Sequence, residues 1–343
     1  MDAWYSAHHA AHHGHGELIG GRLVGGFELP VRADSVRSAF IDSGLGAVQA
    51  PAAAGLAPIL AVHDARVVDF LQGAWARWSA LGHSHPALGM VWNAGLGTPQ
   101  TEPRHIEGAF GGWLLDAGCT IVAGTWEAAD WSAPCAIGAA QALLAGAPAA
   151  FAICRPPGHS DTARAMGGDC DLNNAAIAVQ LPRDGGVPRV GVVDIDDHHG
   201  NGTQTIFWQR GDVFVTSLRA DPHDDDPCLS GHAGEVGEGV GAGFNLNLPL
   251  PAGTTAPAYL AALEAAIDAT LARGCGAVVV SLGVDTFERD PISKFKLASG
   301  DDIAIGARLR RLGMPVLFVF DGGDGTGEVG LNAVNGLAGF SDG

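Results

Sequence analysis

Residues 191–204, GVVDIDDHHGNGTQ, place carboxylates and imidazoles together at the end of an apolar run. Asp196 and His198 lie there, and Asp285 ends a second apolar run, AVVVSLGVD. These three side chains supply two oxygens and one nitrogen, a ligand set that suits Zn²⁺ and tolerates Fe²⁺ or Co²⁺. Three protein ligands leave one position open for water or substrate, which is typical of a catalytic metal rather than a structural one.

A metal in such a site polarises a carbonyl group and lowers the pKa of bound water to about 7. Asp194 has the same strand parity as Asp196 but lies one step deeper in the apolar run. This position suits a carboxylate that orients a histidine better than one that ligates the metal. The motif therefore predicts a metal centre with an orienting carboxylate behind it.

Four short apolar runs, rich in Val, Ile and Phe, are typical of parallel strands covered by helices on both faces. They are AAFAIC (149–154), RVGVVDID (189–196), AVVVSLGVD (277–285) and VLFVFDGG (316–323). Helical spacing is evident in AYLAALEAAIDATLARG and in TWEAADWSAPCAIGAAQALLAG, where Pro134 could break or kink the helix. Strand–helix alternation without an internal repeat or linker predicts one doubly wound α/β domain spanning residues 1–343.

Ligands of open α/β sheets bind beyond the carboxyl ends of the strands. All four predicted strands end in polar residues there, namely His159, then Asp194, Asp196 and His198, then Asp285, and finally Asp321 and Asp324. A single aspartate at a strand end is more often a helix cap or a turn residue. Four such ends from separate segments are hard to explain by capping, so we expect one shared site.

Composition limits the partners and the compartment. The formal net charge of −18 argues against nucleic acid and acidic membrane surfaces as ligands, and a cationic substrate fits the sign, although an acidic chain is also simply soluble. Six cysteines without a C-x-x-C pair favour a reducing compartment. We see no signal peptide and no apolar stretch of about 18 residues, so we expect a cytoplasmic protein. The acidic loop 220–239 could face cations or bind Ca²⁺, but a solvated loop is the simpler expectation.

Five motifs follow one another in a characteristic order: RPPGH, GG-C--NNAA, DIDxHHGNGTQ, SLGVDTFERDPIS and DGGxG. With them the chain resembles the arginase–deacetylase superfamily, and within it the class II histone deacetylases and, most closely, the bacterial acetylpolyamine amidohydrolases. The stretches VHDARVVDFL, IEG and GTWEAA extend the resemblance nearly from end to end. It implies a central parallel sheet of about eight strands and an N-acylated small-molecule substrate.

The resemblance also implies roles for individual residues. Zn²⁺ would be held by Asp196, His198 and Asp285, and a structural K⁺ would lie near Asp194 and Ser217, bound largely by backbone carbonyls. The irregular segment 92–108 resembles loops that form homodimers in the family, so a homodimer that narrows the pocket is expected.

Two catalytic positions depart from the family pattern. After RPPG the family carries two histidines, of which the first pairs with a buried aspartate and the second is usually the general base. Here His159 is present, with Asp194 as its implied partner, but Ser160 stands in the second position. A neutral hydroxyl group, with its pKa far above 7, cannot accept a proton as imidazole does.

The second departure concerns the oxyanion donor. Where the family has a tyrosine after Gly-Gly, this chain has Asp324 after Gly323. An ionised carboxylate would repel an oxyanion, whereas a protonated one could donate to it if its pKa were strongly raised.

Further pocket residues are implied by the resemblance. Asp169, next to Gly168, replaces an aromatic wall residue, and Asp171 replaces another. Glu107 matches an acidic residue at the pocket mouth that meets substrate ammonium groups, although a helix-start carboxylate would explain it equally well. A second such acidic position falls at Gly118, with Asp116 close by.

Three interpretations compete. The chain could be a zinc-dependent amidohydrolase in which His159 is the sole acid and base and Asp324 or Asp169 binds the cationic part of an acetylpolyamine-like substrate. The same centre could instead run another reaction on a small polar molecule, with Asp324, Asp169 and Ser160 as the catalytic set. A catalytically silent, ligand-binding homologue is the third. Because all three predicted metal ligands are present, we expect a functional metal centre, and we predict the first interpretation, the amidohydrolase.

Overall fold

A central sheet of eight parallel strands organises the chain. The structure is a computed structural model, which describes residues 1–13, 16–92 and 103–342. The sheet contains β1 (Asp2–Tyr5), β4 (Val48–Gln49), β5 (Ala149–Ile153), β6 (Val190–Asp194), β7 (Val213–Ala220), β8 (Asn245–Leu250), β9 (Ala277–Leu282) and β10 (Val316–Phe320). A separate antiparallel hairpin is formed by β2 (Gly16–Ile19) and β3 (Arg22–Gly25).

Helices cover both faces of the sheet. They are α1 (Val31–Ser43), α2 (Ala57–Leu60), α3 (Ala65–Ser79), α4 (Ile106–Trp113), α5 (Thr125–Leu144), α6 (Asn174–Asp184), α7 (Asn201–Phe207), α8 (Ala256–Ala272), α9 (Asp301–Leu309) and α10 (Val329–Ser341). Both helices predicted from spacing are present as α5 and α8. Pro134 lies inside α5 without ending it, and Pro257 lies in the first turn of α8, where its missing N–H costs nothing.

The strand order is β4-β1-β5-β10-β9-β6-β7-β8. The four predicted strands are therefore the contiguous centre of the sheet, β5, β10, β9 and β6, and the prediction of a doubly wound parallel sheet of about eight strands is confirmed. Because β6 and β9 are neighbours, with Asp194 opposite Ser281, the segments that carry Asp196 and Asp285 leave the sheet side by side.

Alternate residues of each central strand pack into different layers. Val190 and Val192 of β6 belong to a core that includes residues of α3, α4, α5 and α6, whereas Val193 belongs to a second core with residues of α1, α8, α9 and α10. Burial on both faces explains why these strands are continuously apolar. Within the described ranges, no helix is long and apolar enough to cross a membrane.

Candidate active site

The predicted metal ligands converge at the carboxyl edge of β6 and β9. One ligand atom each of Asp196, His198 and Asp285 lies within 4.8 Å of the others. Nδ1 of His198 is 3.1 Å from Oδ2 of Asp285 and 3.4 Å from Oδ1 of Asp196. Burial and the nearby carboxylate of Asp196 raise the pKa of Asp285 to about 6. Two buried carboxylates and one imidazole at this spacing fit a single divalent cation.

Backbone groups fix the two carboxylates. The Gly322 N–H donates to Oδ2 of Asp196 over 2.9 Å, and the Asp197 N–H donates to Oδ1 of Asp285 over 2.8 Å. A Cβ atom added to Gly283 or Gly322 would lie 2.2 or 2.3 Å from Oδ2 of Asp196, so only glycine fits at these positions. The glycines of SLGVD and DGG therefore make room for the carboxylates that are predicted to bind the metal.

His159 lies beside this cluster and is held by Asp194, as the resemblance implied. Its Nδ1 is 3.2 Å from Oδ2 of Asp194, and its Nε2 is 3.8 Å from Oδ1 of Asp196. Burial alone would lower the pKa of His159, but the carboxylates of Asp196 and Asp194 outweigh it and raise the pKa to about 10. Oδ1 of Asp321 accepts from the N–H groups of Gly158 and His159, which places this loop over the end of β10.

Ser160 is buried directly after His159, and its side chain faces the loop that carries Gly168. A Cβ atom added to Gly168 would lie 2.7 Å from the Ser160 hydroxyl oxygen. Gly168 also has a positive φ of 59°, which glycine adopts without strain. The serine thus occupies a narrow position at the cavity wall, where it offers a hydroxyl group and no titratable base.

Asp324 lies almost buried beside Arg32, with its Oδ1 3.2 Å from Nε of the guanidinium. Burial raises the pKa of Asp324 to about 7, against the opposing effect of Arg32. The Asp324 N–H donates to Oδ2 of Asp290 over 2.6 Å, which anchors the chain at this point. A carboxyl group with this pKa is present in both protonation states near neutral pH.

These groups surround one cavity of about 570 Å³. Its wall is strongly acidic and also contains two cationic residues, Arg32 and Lys294. The acidic lining residues are Glu17, Glu28, Asp116, Asp169, Asp196, Asp225, Asp226, Asp285 and Asp324. Oδ1 of Asp169 is buried without a hydrogen-bond partner. Such an excess of carboxylates favours a ligand that carries positive charge.

Residues 27–334 match the family described as the histone deacetylase domain. The chain belongs to the histone deacetylase family. This family member is 48% identical over 336 residues to acetylpolyamine amidohydrolase 2 of Pseudomonas aeruginosa, with 98% of this chain and 97% of that protein covered. It is 44% identical over 341 residues to the acetylpolyamine amidohydrolase of Mycoplana ramosa, with 99% and 100% covered.

A crystal structure of acetylpolyamine aminohydrolase from Burkholderia pseudomallei superposes on this histone deacetylase family member with a TM-score of 0.95. The two chains are 34% identical, and the match covers 99% of this chain and 98% of the other. The superfamily predicted from the five motifs, and the likeness to acetylpolyamine amidohydrolases, are therefore confirmed.

The structure brings most predicted site residues of this family member together, but not all of them. Gly168, Asp169, Ser160 and Asp324 line the cavity, whereas Gly323 lies beside it, and its carbonyl accepts from Nε of Arg32. Glu107 does not belong to the cavity wall among the described residues.

Glu107 lies in the first turn of α4, half-exposed and 3.7 Å from Nδ1 of His105. Its predicted contact with substrate stays a prediction. Most of the segment 92–108, from which the homodimer was predicted, lies outside the described residues, so the homodimer stays a prediction as well.

Several wall residues of this family member escaped sequence analysis. Arg32 comes from α1, Glu17 from the β2–β3 hairpin, and Asp225 and Asp226 from the loop after β7. The expectation of a solvated acidic loop was wrong at Asp225, because only 8% of its surface is exposed. Charge density in 220–239 was the only available signal, and it cannot tell a buried carboxylate from a solvated one.

The implied K⁺ site also has support in the residues present. Asp194 and Ser217 are directly opposite each other in β6 and β7, and both are buried. The Ser217 hydroxyl oxygen has no hydrogen-bond partner. An orphaned hydroxyl oxygen beside a buried carboxylate fits a bound monovalent cation.

Proposed function

We propose that this family member is a zinc-dependent amidohydrolase that releases an amine from a small, cationic, acetylpolyamine-like substrate. Asp196, His198 and Asp285 would hold the Zn²⁺, and the same ligand set tolerates Fe²⁺ in its place. The observation that carries the proposal is the intact ligand cluster, with the His159–Asp194 pair beside it, in an acidic cavity. The relatives named acetylpolyamine amidohydrolases support the substrate class. Asp194 and Ser217 would hold a structural K⁺ behind the site.

When bound, the metal would polarise the substrate carbonyl and acidify water. The chain's own residues must then move the protons. His159 is an imidazole beside the ligand cluster that is not itself a predicted ligand, and Asp194 orients it through Nδ1. Its Nε2 is 3.8 Å from Oδ1 of Asp196, whose negative charge contributes to the raised pKa of His159. A cation held by Asp196 would offset that charge and favour the neutral ring, which could then take a proton from the attacking water and give it to the leaving nitrogen.

Asp324 and Asp169 have different roles in this proposal, oxyanion stabilisation and ammonium binding. Arg32 already contacts the Asp324 carboxylate, which makes that group a poor partner for a second cation. In its protonated form Asp324 can donate a hydrogen bond to the developing oxyanion, in place of the tyrosine of the family. Asp169 has a carboxylate oxygen without a partner and therefore suits the substrate ammonium group.

A different reaction at the same centre is the second candidate. A carboxyl group with a pKa of about 7, as in Asp324, is suited to general acid or base catalysis on a small polar molecule. This candidate uses the same metal ligands but does not require an acyl group in the substrate. A ligand-binding homologue without activity is the third.

The test is amine release from a panel of acetylated diamines and polyamines by zinc-loaded protein, with Asp196→Ala as the control. We expect release by the wild-type protein and none by the variant. Tight substrate binding without amine release would overturn the amidohydrolase proposal and support the ligand-binding alternative. Consumption of the substrate without amine release would support a different reaction.

A further inference from the structure

A second group of potential ligands lies next to the first. One atom each of Asp197, His198 and Asp225 lies within 4.8 Å of the others. Asp197 follows Asp196 along the chain, whereas Asp225 comes from the loop after β7. This group, the Asp197–His198–Asp225 cluster, shares His198 with the first ligand set but uses two different carboxylates. The residue types are again two carboxylates and one imidazole.

Both carboxylates of the cluster carry an oxygen without a partner. Asp197 has no exposed surface, and its Oδ1 has no hydrogen bond, while its Oδ2 accepts from the Lys294 N–H over 2.9 Å. Asp225 is 8% exposed, and its Oδ2 is buried without a hydrogen bond. Leaving two buried carboxylate oxygens unsatisfied costs free energy, which a cation bound by both carboxylates would recover.

The nearby lysine does not fill this role. Nζ of Lys294 is 3.4 Å from Oδ1 of Asp225, the other oxygen of that carboxylate, and the side chain is 40% exposed. The contact of Lys294 with Asp197 uses the backbone N–H rather than the ammonium group. The orphaned oxygen of each carboxylate therefore remains available to another cation.

We propose that Asp197, Asp225 and His198 form a second divalent-cation site beside the first. Asp225 and His198 line the cavity, so a cation can reach the cluster from it. Two carboxylate oxygens and an imidazole nitrogen are ligands that Zn²⁺, Mn²⁺ and Fe²⁺ accept. The site goes beyond the proposed amidohydrolase activity, because binding is measured without substrate and does not depend on the reaction.

When both sites are occupied at once, His198 must bind two cations. Its Nδ1 faces Asp196 and Asp285, which leaves Nε2 for the second cation. The neutral ring carries one N–H, so binding through both nitrogens converts it to imidazolate and releases one proton to solvent.

The experiment measures zinc in the full chain by elemental analysis after chelation, dialysis against Zn²⁺ in K⁺ buffer and removal of unbound metal. We expect two equivalents in the wild-type protein and one in both Asp225→Asn and Asp197→Asn. Asp226→Asn is the matched control, since Asp226 also lines the cavity but lies outside the cluster, and it should retain two.

A second background isolates the proposed site. Asp196→Ala combined with Asp285→Ala removes the first ligand set but keeps His198, and this variant should bind one equivalent that disappears when Asp225→Asn is added. Circular dichroism confirms that each variant is folded. One equivalent in the wild-type protein, or an unchanged zinc content in both Asp225→Asn and Asp197→Asn, would overturn the proposal. The zinc-content measurement stands whether or not the protein hydrolyses acetylated amines.

Discussion

The carboxylate of Asp324 lies against the guanidinium of Arg32, with Oδ1 3.2 Å from Nε, in the wall of the cavity that contains the proposed metal ligands. Arg32 is itself buried and donates to the backbone carbonyls of Asp321 and Gly323. Helix α1 therefore fixes the loop after β10 and the charge next to Asp324. The position occupied by tyrosine in the family is here a carboxyl group beside a fixed cation.

This pairing predicts the pH dependence of activity. Because the pKa of Asp324 is raised to about 7, its protonated, donating form is present below that pH and is lost above it. We expect kcat for an acetylated amine to fall as pH rises through 7. In Asp324→Asn the amide donates at every pH, so this falling limb should be absent. A falling limb of the same position in Asp324→Asn would show that another group is responsible.

Replacing Ser160 and Asp324 with the residues of the family pattern is expected to restore efficient deacetylation. Ser160→His supplies the missing imidazole base, and Asp324→Tyr supplies a neutral oxyanion donor. Each group typically contributes about a hundredfold or more in rate, so the double variant should release acetate from acetylated amines at least that much faster than the wild-type protein. Ser160→Ala with Asp324→Phe is the control, because it changes the volumes without supplying either group. A zinc-loaded double variant that hydrolyses no acetylated amine would contradict the account of these two positions.

Asp169 predicts selectivity for cationic substrates. Its buried, partnerless oxygen should contact a substrate ammonium group, so Asp169→Asn is expected to raise KM for acetylated diamines by roughly tenfold, since hydrogen bonds to charged groups contribute about 1.5–3 kcal/mol. Asparagine tolerates the positive φ of 59° at this position. KM for an uncharged acetylated alkylamine should not change. An equal rise for both substrates would indicate general damage to the pocket.

His63 predicts a loss of stability in acid. It is buried, its Nε2 accepts from the Asn173 N–H over 2.9 Å, and its Nδ1 lies 3.1 Å from the Thr162 carbonyl oxygen. Burial lowers its pKa from 6.5 to about 4. Between pH 6.5 and 4, His63 is therefore protonated in the unfolded chain but neutral in the folded chain. The free energy of unfolding consequently falls as pH falls through this window.

Urea unfolding at pH 7 and pH 5 measures this effect. The contribution of His63 to the free energy of unfolding should decrease by about 2 kcal/mol between the two values, since one pKa unit corresponds to 1.36 kcal/mol. In His63→Gln the pH dependence should be weaker by that amount. Parallel pH dependence in the two proteins would exclude His63 as the cause.

Site residues could be predicted where they directly follow a strand that the sequence pattern itself identifies. β6 and β9 are buried on both faces, so their apolar runs are continuous, and their carboxyl ends place Asp196, His198 and Asp285 together. By contrast, β7 contains the buried Arg219 and polar Thr216 and Ser217, and β4 has two residues, so neither has an apolar run.

The site residues that were not predicted do not lie at the end of a recognisable apolar strand. Arg32 lies on a helix more than a hundred residues from the motifs, and Asp225 lies in an irregular loop whose acidic composition resembles a solvated one. Only tertiary packing turns these side chains toward the cavity. Ser160 and Asp324 were located by comparison with the family pattern, but the guanidinium beside Asp324 required the structure.

The most direct test of the central claim is the rate of amine release from an acetylated diamine as zinc is returned to chelator-treated protein. We predict that activity is absent after chelation and returns with added zinc in the wild-type protein, while Asp196→Ala and Asp285→Ala stay inactive at every zinc concentration. Amine release that survives complete chelation, or that is equal in Asp196→Ala, would contradict a metal-dependent amidohydrolase built on these residues.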